Sequence, residues 1–414
     1  MKTWITYLAS ILMGFATCLI FSDSTIATSI FSSSTAFLVN LGIFIFIPLT
    51  VITFASGVAS LRKDKLGAKT TIVGIIWALV STVVLAVASA LVFYYLPVKF
   101  PVSSSAGSDA SVFETIFNNA TSHALSGLYP SNPFLTLATT SYYIIPLLII
   151  SWILGISLKP NADVIRPAYT VMNSFAEVMY RIIRTVSVYG FLLTYVGSSY
   201  LFLIIYQEKT LLVSPAFVKL FLIVIGGALF IVLPLLYAIF TRFKKNPYWV
   251  LGRSFSSIVT GLFTGNILAS SLVNEGVCRQ NLGVQKRIVS TSTPLFIIAG
   301  RGGTAMISTL TVLALLKAVG AEMSLSSTLI IALAISLSSL LSATAASYEL
   351  LLVIYGALKL MKISLYGAEA TVLALLPLLS GLAIALDVAI ASFGNAVIAF
   401  LTRTDIKIPY RDIL

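Results

Sequence analysis

One charged side chain interrupts the apolar stretch Thr293-Pro-Leu-Phe-Ile-Ile-Ala-Gly-Arg-Gly-Gly-Thr-Ala-Met-Ile-Ser308, and this interruption indicates the class of fold. Arg301 has long apolar sequence on both sides, and Gly300, Gly302 and Gly303 surround it. An arginine at bilayer depth costs at least ~2.5–3.5 kcal/mol on insertion scales, so it is rarely left unpaired. Glycines allow the backbone to unwind and to approach a ligand closely. A charged, glycine-broken membrane helix is typical of a transport site.

The composition indicates a multi-pass membrane protein. Of the 414 residues, 58% are hydrophobic and 10% are charged, whereas soluble domains carry about 25% charged residues. Twenty-six basic and 14 acidic residues give a net charge of +12. If the N-terminus is cytoplasmic and the spans alternate, most basic residues fall on the cytoplasmic side, as the positive-inside rule requires. We therefore predict a plasma (cytoplasmic) membrane protein with both termini in the cytoplasm, whose charge reflects the lipid bilayer and not nucleic acid.

The residues that most enzymes and metal sites require are scarce. His123 is the only histidine and lies in a polar loop, so a histidine-based triad or metal cluster cannot form. Cys18 and Cys278 are predicted at different membrane depths, which argues against a disulfide. Paired aspartates are also missing from the apolar segments. We therefore predict no cofactor, no metal and no enzymatic activity.

Two segments of the C-terminal half enter and leave the membrane on the same side. The first, Tyr248–Arg279, is interrupted by glycines and polar residues, and its predicted tip is Thr264–Asn266. The second, Ser326–Leu358, breaks at Ser342–Ser347 and opens on the outer side. Two helix–break–helix hairpins from opposite faces indicate an inverted repeat with a binding site at mid-membrane.

Two further segments have a clear polarity pattern. The last span, Ala374–Leu401, contains Asp387 and Asn395, which are eight residues apart and lie on one helical face. The longest polar insertion, Lys99–Asn132, is rich in serine, alanine and asparagine and is interpreted as an outer surface loop.

The chain resembles the dicarboxylate/amino acid:cation symporter family, the glutamate-transporter homologues. The stretches that carry the resemblance are LTVITFASGVASLR at Leu49–Arg62, Asn132-Pro-Phe-Leu followed by Leu154-Gly-Ile-Ser, Ala176-Glu-Val-Met-Tyr-Arg-Ile-Ile, and the hairpin–helix–hairpin–helix order ending in Asp387. The resemblance implies an all-α membrane protein with eight transmembrane helices and two re-entrant helical hairpins, inverted repeats and an elevator mechanism. It also implies a homotrimer.

The resemblance further implies a division of the chain. Residues 1–66 would form scaffold helices 1 and 2, and residues 67–98 would form helix 3 of the transport domain. Residues 99–132 would be the extracellular polar loop, and residues 133–210 scaffold helices 4 and 5. Residues 211–414 would complete the transport domain with helix 6, hairpin 1, helix 7, hairpin 2 and helix 8.

The chain departs from the family at positions that hold sodium. Where the family has Asn-Met-Asp-Gly-Thr in helix seven, this chain has Gly300-Arg-Gly-Gly-Thr304. A sodium-binding aspartate of helix eight falls at Ile398, and the arginine that reads an acidic substrate side chain falls at Ile390. The family asparagine between them matches Gly394, or Asn395 after a one-residue shift. Sodium requires several hard oxygen ligands, so these replacements predict sodium-independent transport.

The candidate site residues leave alternatives open. Arg301 either clamps a substrate carboxylate in place of a coupling cation or is a structural tether to Asp387 or Glu349. Asp387 either receives a substrate amino group or a proton, or is the counter-ion of Arg301. Glu349 is a second proton-coupling candidate or faces water. The predicted substrate-binding residues are Arg301, Thr304, Asp387, Asn395, Asn266, Ser342, Thr344 and Ser347.

Three functions fit these features. The leading hypothesis is a secondary active transporter of a small carboxylated solute, an amino acid or a dicarboxylate, that is proton-coupled or an uncoupled exchanger. The first alternative is a sodium-coupled symporter that uses backbone carbonyls and hydroxyls. The second alternative is an anion channel, because a buried arginine also suits an anion pore.

Overall fold

The computed structural model describes residues 3–101, 144–159, 163–207, 214–341, 349–361, 369–406 and 408–409. Within these residues the chain is helical and contains no β-strand, which confirms the predicted all-helical class. The helices are α1 (Thr3–Phe21), α2 (Thr25–Lys63), α3 (Gly67–Tyr95), α4 (Ile145–Ser157), α5 (Arg166–Gln207), α6 (Pro215–Phe240), α7 (Pro247–Arg253), α8 (Phe255–Thr264), α9 (Ile267–Gln280), α10 (Lys286–Ala299), α11 (Gly302–Ala318), α12 (Leu325–Leu341), α13 (Glu349–Leu360) and α14 (Glu369–Thr402).

Seven spans in the described part of the chain are long and apolar enough to cross a bilayer. They are α1, α2, α3, α5, α6, the broken helix α10–α11, and the stretch Val372–Thr402 of α14. The fourth predicted span is described only over α4, which has 13 residues. The prediction of eight transmembrane helices therefore remains a prediction.

Two helices extend well beyond their apolar sequence. Helices α2 and α5 have 39 and 42 residues, whereas their hydrophobic sequence covers only residues 36–59 and 182–206. Hydroxyl side chains in the polar extensions donate to the carbonyl four residues earlier, as Thr35 does to Phe31 (2.7 Å) and Thr170 does to Arg166 (3.0 Å). These local bonds satisfy the hydroxyl groups without interrupting the helix, so hydrophobicity alone underestimates the lengths of α2 and α5.

The helices pack in two groups. Helices α1 and α2 pack against α5, and α4 packs against α2, whereas α3 packs against α10, α11, α12 and α14. The groups meet where α5 contacts α8 and α9 and where α2 contacts α9 and α10. The division into scaffold and transport domains, and their relative movement, remain predictions.

The largest apolar core lies within the second group. It is formed mainly by α3, α6, α10, α11, α13 and α14. Trp77 of α3 is fully buried there, and its indole nitrogen donates to the carbonyl of Ile390 on α14 (2.9 Å). Because a buried indole N–H needs an acceptor, this bond orients α3 against α14.

The first hairpin turns where the sequence predicts its tip. Helix α8 ends at Thr264, α9 begins at Ile267, and the two helices pack together. Gly265 has φ +57°, a left-handed conformation that a residue without Cβ adopts without strain. Helices α12 and α13 also pack together, but the break at residues 342–348 lies outside the described residues.

Candidate functional site

The predicted site begins at a break in the span α10–α11. Gly300 (φ −85°, ψ 55°) and Arg301 (φ −99°, ψ 29°) lie outside helical geometry, between Ala299 and Gly302. Arg301 is 0% exposed, so its guanidinium is held entirely inside the protein. A backbone break at this depth is tolerated because it is covered by protein.

The guanidinium of Arg301 is clamped by one carboxylate. Its Nη1 donates to Glu349 Oε2 (2.7 Å) and its Nη2 donates to Glu349 Oε1 (3.0 Å). Glu349 is the first residue of α13 and is only 5% exposed, so it does not face water. This two-bond geometry is the strongest form of carboxylate recognition by arginine. Of the two acids named as possible partners, Glu349 and not Asp387 contacts the guanidinium, while the role of Arg301 in substrate binding stays a prediction.

Asp387 binds the first turn of α11 instead of the guanidinium. Its Oδ1 accepts from the backbone nitrogens of Gly303 (2.6 Å) and Thr304 (3.3 Å), and its Oδ2 accepts from Thr304 Oγ1 (2.6 Å). The first N–H groups of a helix lack partners within that helix and favour negative charge. Asp387, which is 1% exposed, therefore caps α11 from α14 and fixes the helix that follows Arg301.

These four residues, Arg301, Thr304, Glu349 and Asp387, form one charged cluster. A cavity of about 10 Å³ lies beside it, which is about the space of one water molecule. The described residues therefore leave no room for a carboxylated solute at the cluster in this conformation. The cavity is lined by Gly265, Thr304, Glu349, Leu350, Ser380, Ala383 and Ile384.

Asn266 follows Gly265, which lines this cavity, and its side-chain oxygen caps a helix. Its Oδ1 accepts from the backbone nitrogens of Leu268 (3.0 Å) and Ala269 (3.1 Å). This is the N-cap arrangement that asparagine commonly provides at the start of a helix. In this conformation the Asn266 carbonyl stabilises the start of α9.

Asn395 lies in a different cluster from Asp387. Eight residues separate them on α14, which is a rise of about 12 Å. Asn395 Oδ1 accepts from Ser292 Oγ, and its Nδ2 donates to the carbonyl of Ala391 (3.0 Å). Nearby, Ser392 Oγ donates to Asn274 Oδ1 (2.6 Å). The remaining predicted substrate-binding residues, Ser342, Thr344 and Ser347, lie outside the described residues.

Sequence reasoning missed a buried acid next to this polar cluster. Glu275 on α9 is 2% exposed and lies 3.3 Å from Ser290 Oγ of α10. Ser290 Oγ in turn lies 2.6 Å from the hydroxyl of Tyr180 on α5. An acid within the predicted hairpin Tyr248–Arg279, four residues before its end, was the available signal, because intramembrane acids mark functional sites by default.

The cluster around Arg301 can bind a carboxylate but offers little to a metal ion. The guanidinium already holds a carboxylate through two bonds, and Arg301 Nε is buried without a hydrogen-bond partner in the described part of the chain. The same part of the chain contains no group of three or more histidine, cysteine, aspartate or glutamate side chains placed to hold a metal. The geometry at the guanidinium is therefore that of carboxylate binding.

A comparison with known families agrees with this reading of the fold. The model described as "Sodium:dicarboxylate symporter family" matches residues 3–404, nearly the whole chain. The match confirms the resemblance inferred from the sequence. It supports a multi-pass membrane transporter for a small carboxylate rather than an enzyme.

Proposed function

Because this chain belongs to the sodium:dicarboxylate symporter family, we propose that it is a secondary active transporter of a small carboxylated solute, an amino acid or a dicarboxylate, that works without sodium. Transport is proton-coupled or is an uncoupled exchange. The observation that carries this proposal is the fully buried guanidinium of Arg301, which holds a carboxylate in two-bond geometry at a break between two helices. Broken helices of this kind form the binding sites of many secondary transporters.

Arg301 takes the place of a dissociable cation in this proposal. Its positive charge is part of the chain, so an anionic solute needs no sodium to balance its charge at the site. Glu349 is then the stand-in for the solute carboxylate, and the two exchange at the guanidinium when α13 moves. Arg301 Nε, which is buried without a hydrogen-bond partner in the described residues, gives the solute a further donor.

The positions expected to hold sodium are crowded by apolar groups. A Cβ atom at Gly302 would lie 2.7 Å from Ile390 Cδ1 and 3.0 Å from Leu85 Cδ1. At Gly394 a Cβ atom would lie 2.6 Å from Trp77 Cδ1. These contacts exclude the oxygen-bearing side chains of the family pattern unless the neighbours move. A cation that requires oxygen ligands is therefore disfavoured there.

Asp387 keeps a place in the proposed mechanism. Three donors already reach its carboxylate, but an ionised carboxylate offers about four acceptor positions. One remaining position suits a substrate amino group or a proton. Once the hairpins open, the solute is proposed to contact two further residues. These are Thr304, whose hydroxyl donates to Asp387, and Asn266, which follows the cavity-lining Gly265.

We also propose that transport follows an elevator mechanism in a homotrimer. Helices α1, α2, α4 and α5 would form the fixed scaffold, and α3 with α6–α14 would form the moving transport domain. Support comes from the two-group packing described above and from family membership. In this arrangement the plasma membrane contains the trimer, and both termini are cytoplasmic because the basic residues concentrate on that side.

The test is uptake by the purified protein in liposomes. Radiolabelled amino acids and dicarboxylates are supplied from a panel while sodium and proton gradients are varied independently. We expect saturable uptake that preloaded unlabelled solute accelerates and that replacement of sodium by choline leaves unchanged. Arg301→Lys retains the charge but removes the two-bond geometry, so it should weaken uptake, whereas Arg403→Lys, an exposed arginine near the C-terminus, is the matched control.

Three outcomes contradict the proposal. A tenfold tightening of binding by sodium, about 1.4 kcal/mol of coupling, indicates a sodium symporter. Non-saturable flux without acceleration by counter-solute indicates an anion channel. A monomeric mass in native mass spectrometry contradicts the proposed homotrimer.

A further inference from the structure

The side chain of Glu275 is a buried carboxyl group that the proposed transport site does not use. It is 2% exposed, on α9, between α5, α10 and α14. Four ion pairs occur among the described residues, and none includes Glu275, so no described cationic nitrogen lies within 4.0 Å of its carboxyl oxygens. An ionised carboxylate buried without such a partner is unfavourable, whereas a neutral carboxylic acid needs only hydrogen bonds.

The hydrogen atoms available at Ser290 point to the same state. Ser290 Oγ lies 2.7 Å from the carbonyl of Lys286, 2.6 Å from the hydroxyl of Tyr180 and 3.3 Å from Glu275 Oε1. A serine hydroxyl has one hydrogen and two acceptor positions. If Ser290 donates to the Lys286 carbonyl, all three contacts become hydrogen bonds only when Tyr180 and a protonated Glu275 donate to Ser290.

The same contacts connect Glu275 to an open cavity. Tyr180 is 5% exposed and lines a cavity of about 510 Å³, together with Glu177, Arg181, Arg184 and other residues. This cavity lies at the basic end of the molecule, which the positive-inside rule places in the cytoplasm. The carboxyl group thus reaches the cavity through two hydroxyl groups.

We propose that Glu275 is a proton-binding site, and that Ser290 and Tyr180 carry its proton to and from this cavity. The Ser290 hydroxyl first rotates from the Lys286 carbonyl towards Tyr180, and the Tyr180 hydroxyl rotates from Ser290 towards the cavity. The acid then gives its proton to Ser290 Oγ, Ser290 passes its own hydroxyl hydrogen to Tyr180, and Tyr180 releases its hydrogen to water in the cavity. Each hydroxyl gains one hydrogen and loses one, so the net result is one proton moved and one carboxylate formed at Glu275.

Arg279 provides the charge that the ionised state needs. It follows Glu275 by one helical turn on α9, and its guanidinium lies over the ring of Tyr180, 4.1 Å from the centroid. Its Nη1 is buried and makes no hydrogen bond in the described residues. Loss of the proton from Glu275 would therefore draw Arg279 from the ring towards the new carboxylate.

The remaining ionisable groups on the helices packed against α9 leave Arg279 as the main partner. Helix α8 contains none, and Asp387 of α14 binds the start of α11. The groups near this region are Cys278 and Arg279 on α9, Tyr180, Arg181 and Arg184 on α5, the ion pair of Glu177 with Lys286, and Lys63 with the ion pair of Asp64 and Arg287.

The hydroxyl chain joins the two groups of helices, which gives the site a role in coupling. Tyr180 belongs to α5 of the proposed scaffold, whereas Ser290 and Glu275 belong to α10 and α9 of the proposed transport domain. An elevator movement would separate Tyr180 from Ser290 and close this route. The coupling role, but not the proton site itself, rests on the proposed function.

Infrared spectroscopy of the full-length protein in liposomes tests the proton site without any solute. We expect a C=O stretching band of a protonated carboxylic acid that is lost in Glu275→Gln. In heavy water this band should shift as the acid proton exchanges. Tyr180→Phe should slow the exchange at least about tenfold, which corresponds to about 1.4 kcal/mol in the barrier.

Tyr7→Phe is the matched control. Tyr7 is also a buried tyrosine, but its hydroxyl donates to the carbonyl of Ser187 and takes no part in the route from Glu275 through Ser290 and Tyr180. A band that persists in Glu275→Gln overturns the site. Equal exchange rates in Tyr180→Phe and Tyr7→Phe overturn the route, and this comparison still decides if Glu275→Gln does not fold.

A second measurement separates this inference from the proposed function. Liposomes loaded with the pH dye pyranine receive L-aspartate or succinate, and proton movement is recorded beside uptake of the radiolabelled solute. We expect Glu275→Gln to abolish the solute-dependent pH change while exchange of the labelled solute continues. A pH change that survives in Glu275→Gln overturns the coupling role, whereas wild-type protein that moves neither solute counts against the proposed function and leaves the infrared result standing.

Discussion

Glu349 and Glu275 are both buried glutamates of the second helix group, but their carboxyl groups have different partners. Glu349 is bound through both oxygens to the guanidinium of Arg301. Glu275 lies near hydroxyl groups, with no described cation within 4.0 Å of its carboxyl oxygens. The comparison teaches that burial alone does not assign a role to an acid: one partner set stabilises an ion pair and the other stabilises a neutral acid.

Glu349→Gln should be the most damaging single change. It leaves Arg301 buried without its carboxylate, and breaking a buried ion pair in this way costs about 3–5 kcal/mol. Chemical unfolding in mixed detergent micelles measures the loss. The double variant Arg301→Met with Glu349→Gln should recover most of it, because neither charge remains. A stable Glu349→Gln protein would show that Arg301 has another partner and would weaken the contrast with Glu275.

Gly302→Asp should destabilise the protein and should not create sodium dependence on its own. The new Cβ meets Ile390 and Leu85 at 2.7 and 3.0 Å, and such overpacking costs about 1–3 kcal/mol. Adding Ile390→Ala should relieve the contact. Thermal unfolding with and without sodium is the measurement. If sodium stabilises Gly302→Asp without the second substitution, the side chains of Ile390 and Leu85 move aside at little cost, which contradicts the prediction.

Asp387→Asn should have a smaller effect, up to about 2 kcal/mol, the upper value for a charge at a helix terminus. The amide still accepts from Gly303 and can bond to Thr304, so only the charge is lost. Asp405→Asn, on the surface, is the control. Its partner Lys245 is one-third exposed, and such surface ion pairs contribute about 0–1 kcal/mol. If Asp387→Asn lowers the free energy of unfolding no more than Asp405→Asn does, the negative charge of Asp387 does not stabilise the start of α11.

Glu275→Gln should be the mildest of the four changes. If Glu275 is already neutral, glutamine keeps the shape and a polar oxygen, so the free energy of unfolding should change by less than about 1 kcal/mol, the net value of a typical hydrogen bond. The same unfolding assay compares it directly with Glu349→Gln. A loss as large as that of Glu349→Gln would mean that Glu275 is ionised in the folded protein.

Much of the fold was accessible from the sequence because it follows from local rules. Long apolar stretches require helices in a bilayer, since every backbone group must be bonded within its own segment. The glycine pattern around Arg301 and the turn at Gly265 mark breaks that the structure contains. The lengths of α2 and α5 were less predictable, because polar hydroxyl residues continue those helices beyond the apolar sequence.

The partners of the charged groups were decided only by the tertiary structure. The sequence by itself determined that Arg301 needs a counter-charge and that Glu349 and Asp387 are the candidates nearest to it in type. It could not choose between them, because residues 48 and 86 positions apart meet only through the packing of α11, α13 and α14. In the packed structure Glu349 binds the guanidinium, and Asp387 binds the N-terminus of α11.

Glu275 shows the same limit more strongly. Its sequence neighbourhood contains Arg279 one turn away, which by local rules suggests an ion pair. In the folded chain Arg279 lies over the ring of Tyr180, and Ser290 occupies the place beside the acid. Local sequence determines which groups share a helix face, but the neighbouring helices decide which of them come into contact. These contacts decide the arrangement because a hydrogen bond or charge interaction is stronger in the protein interior than in water.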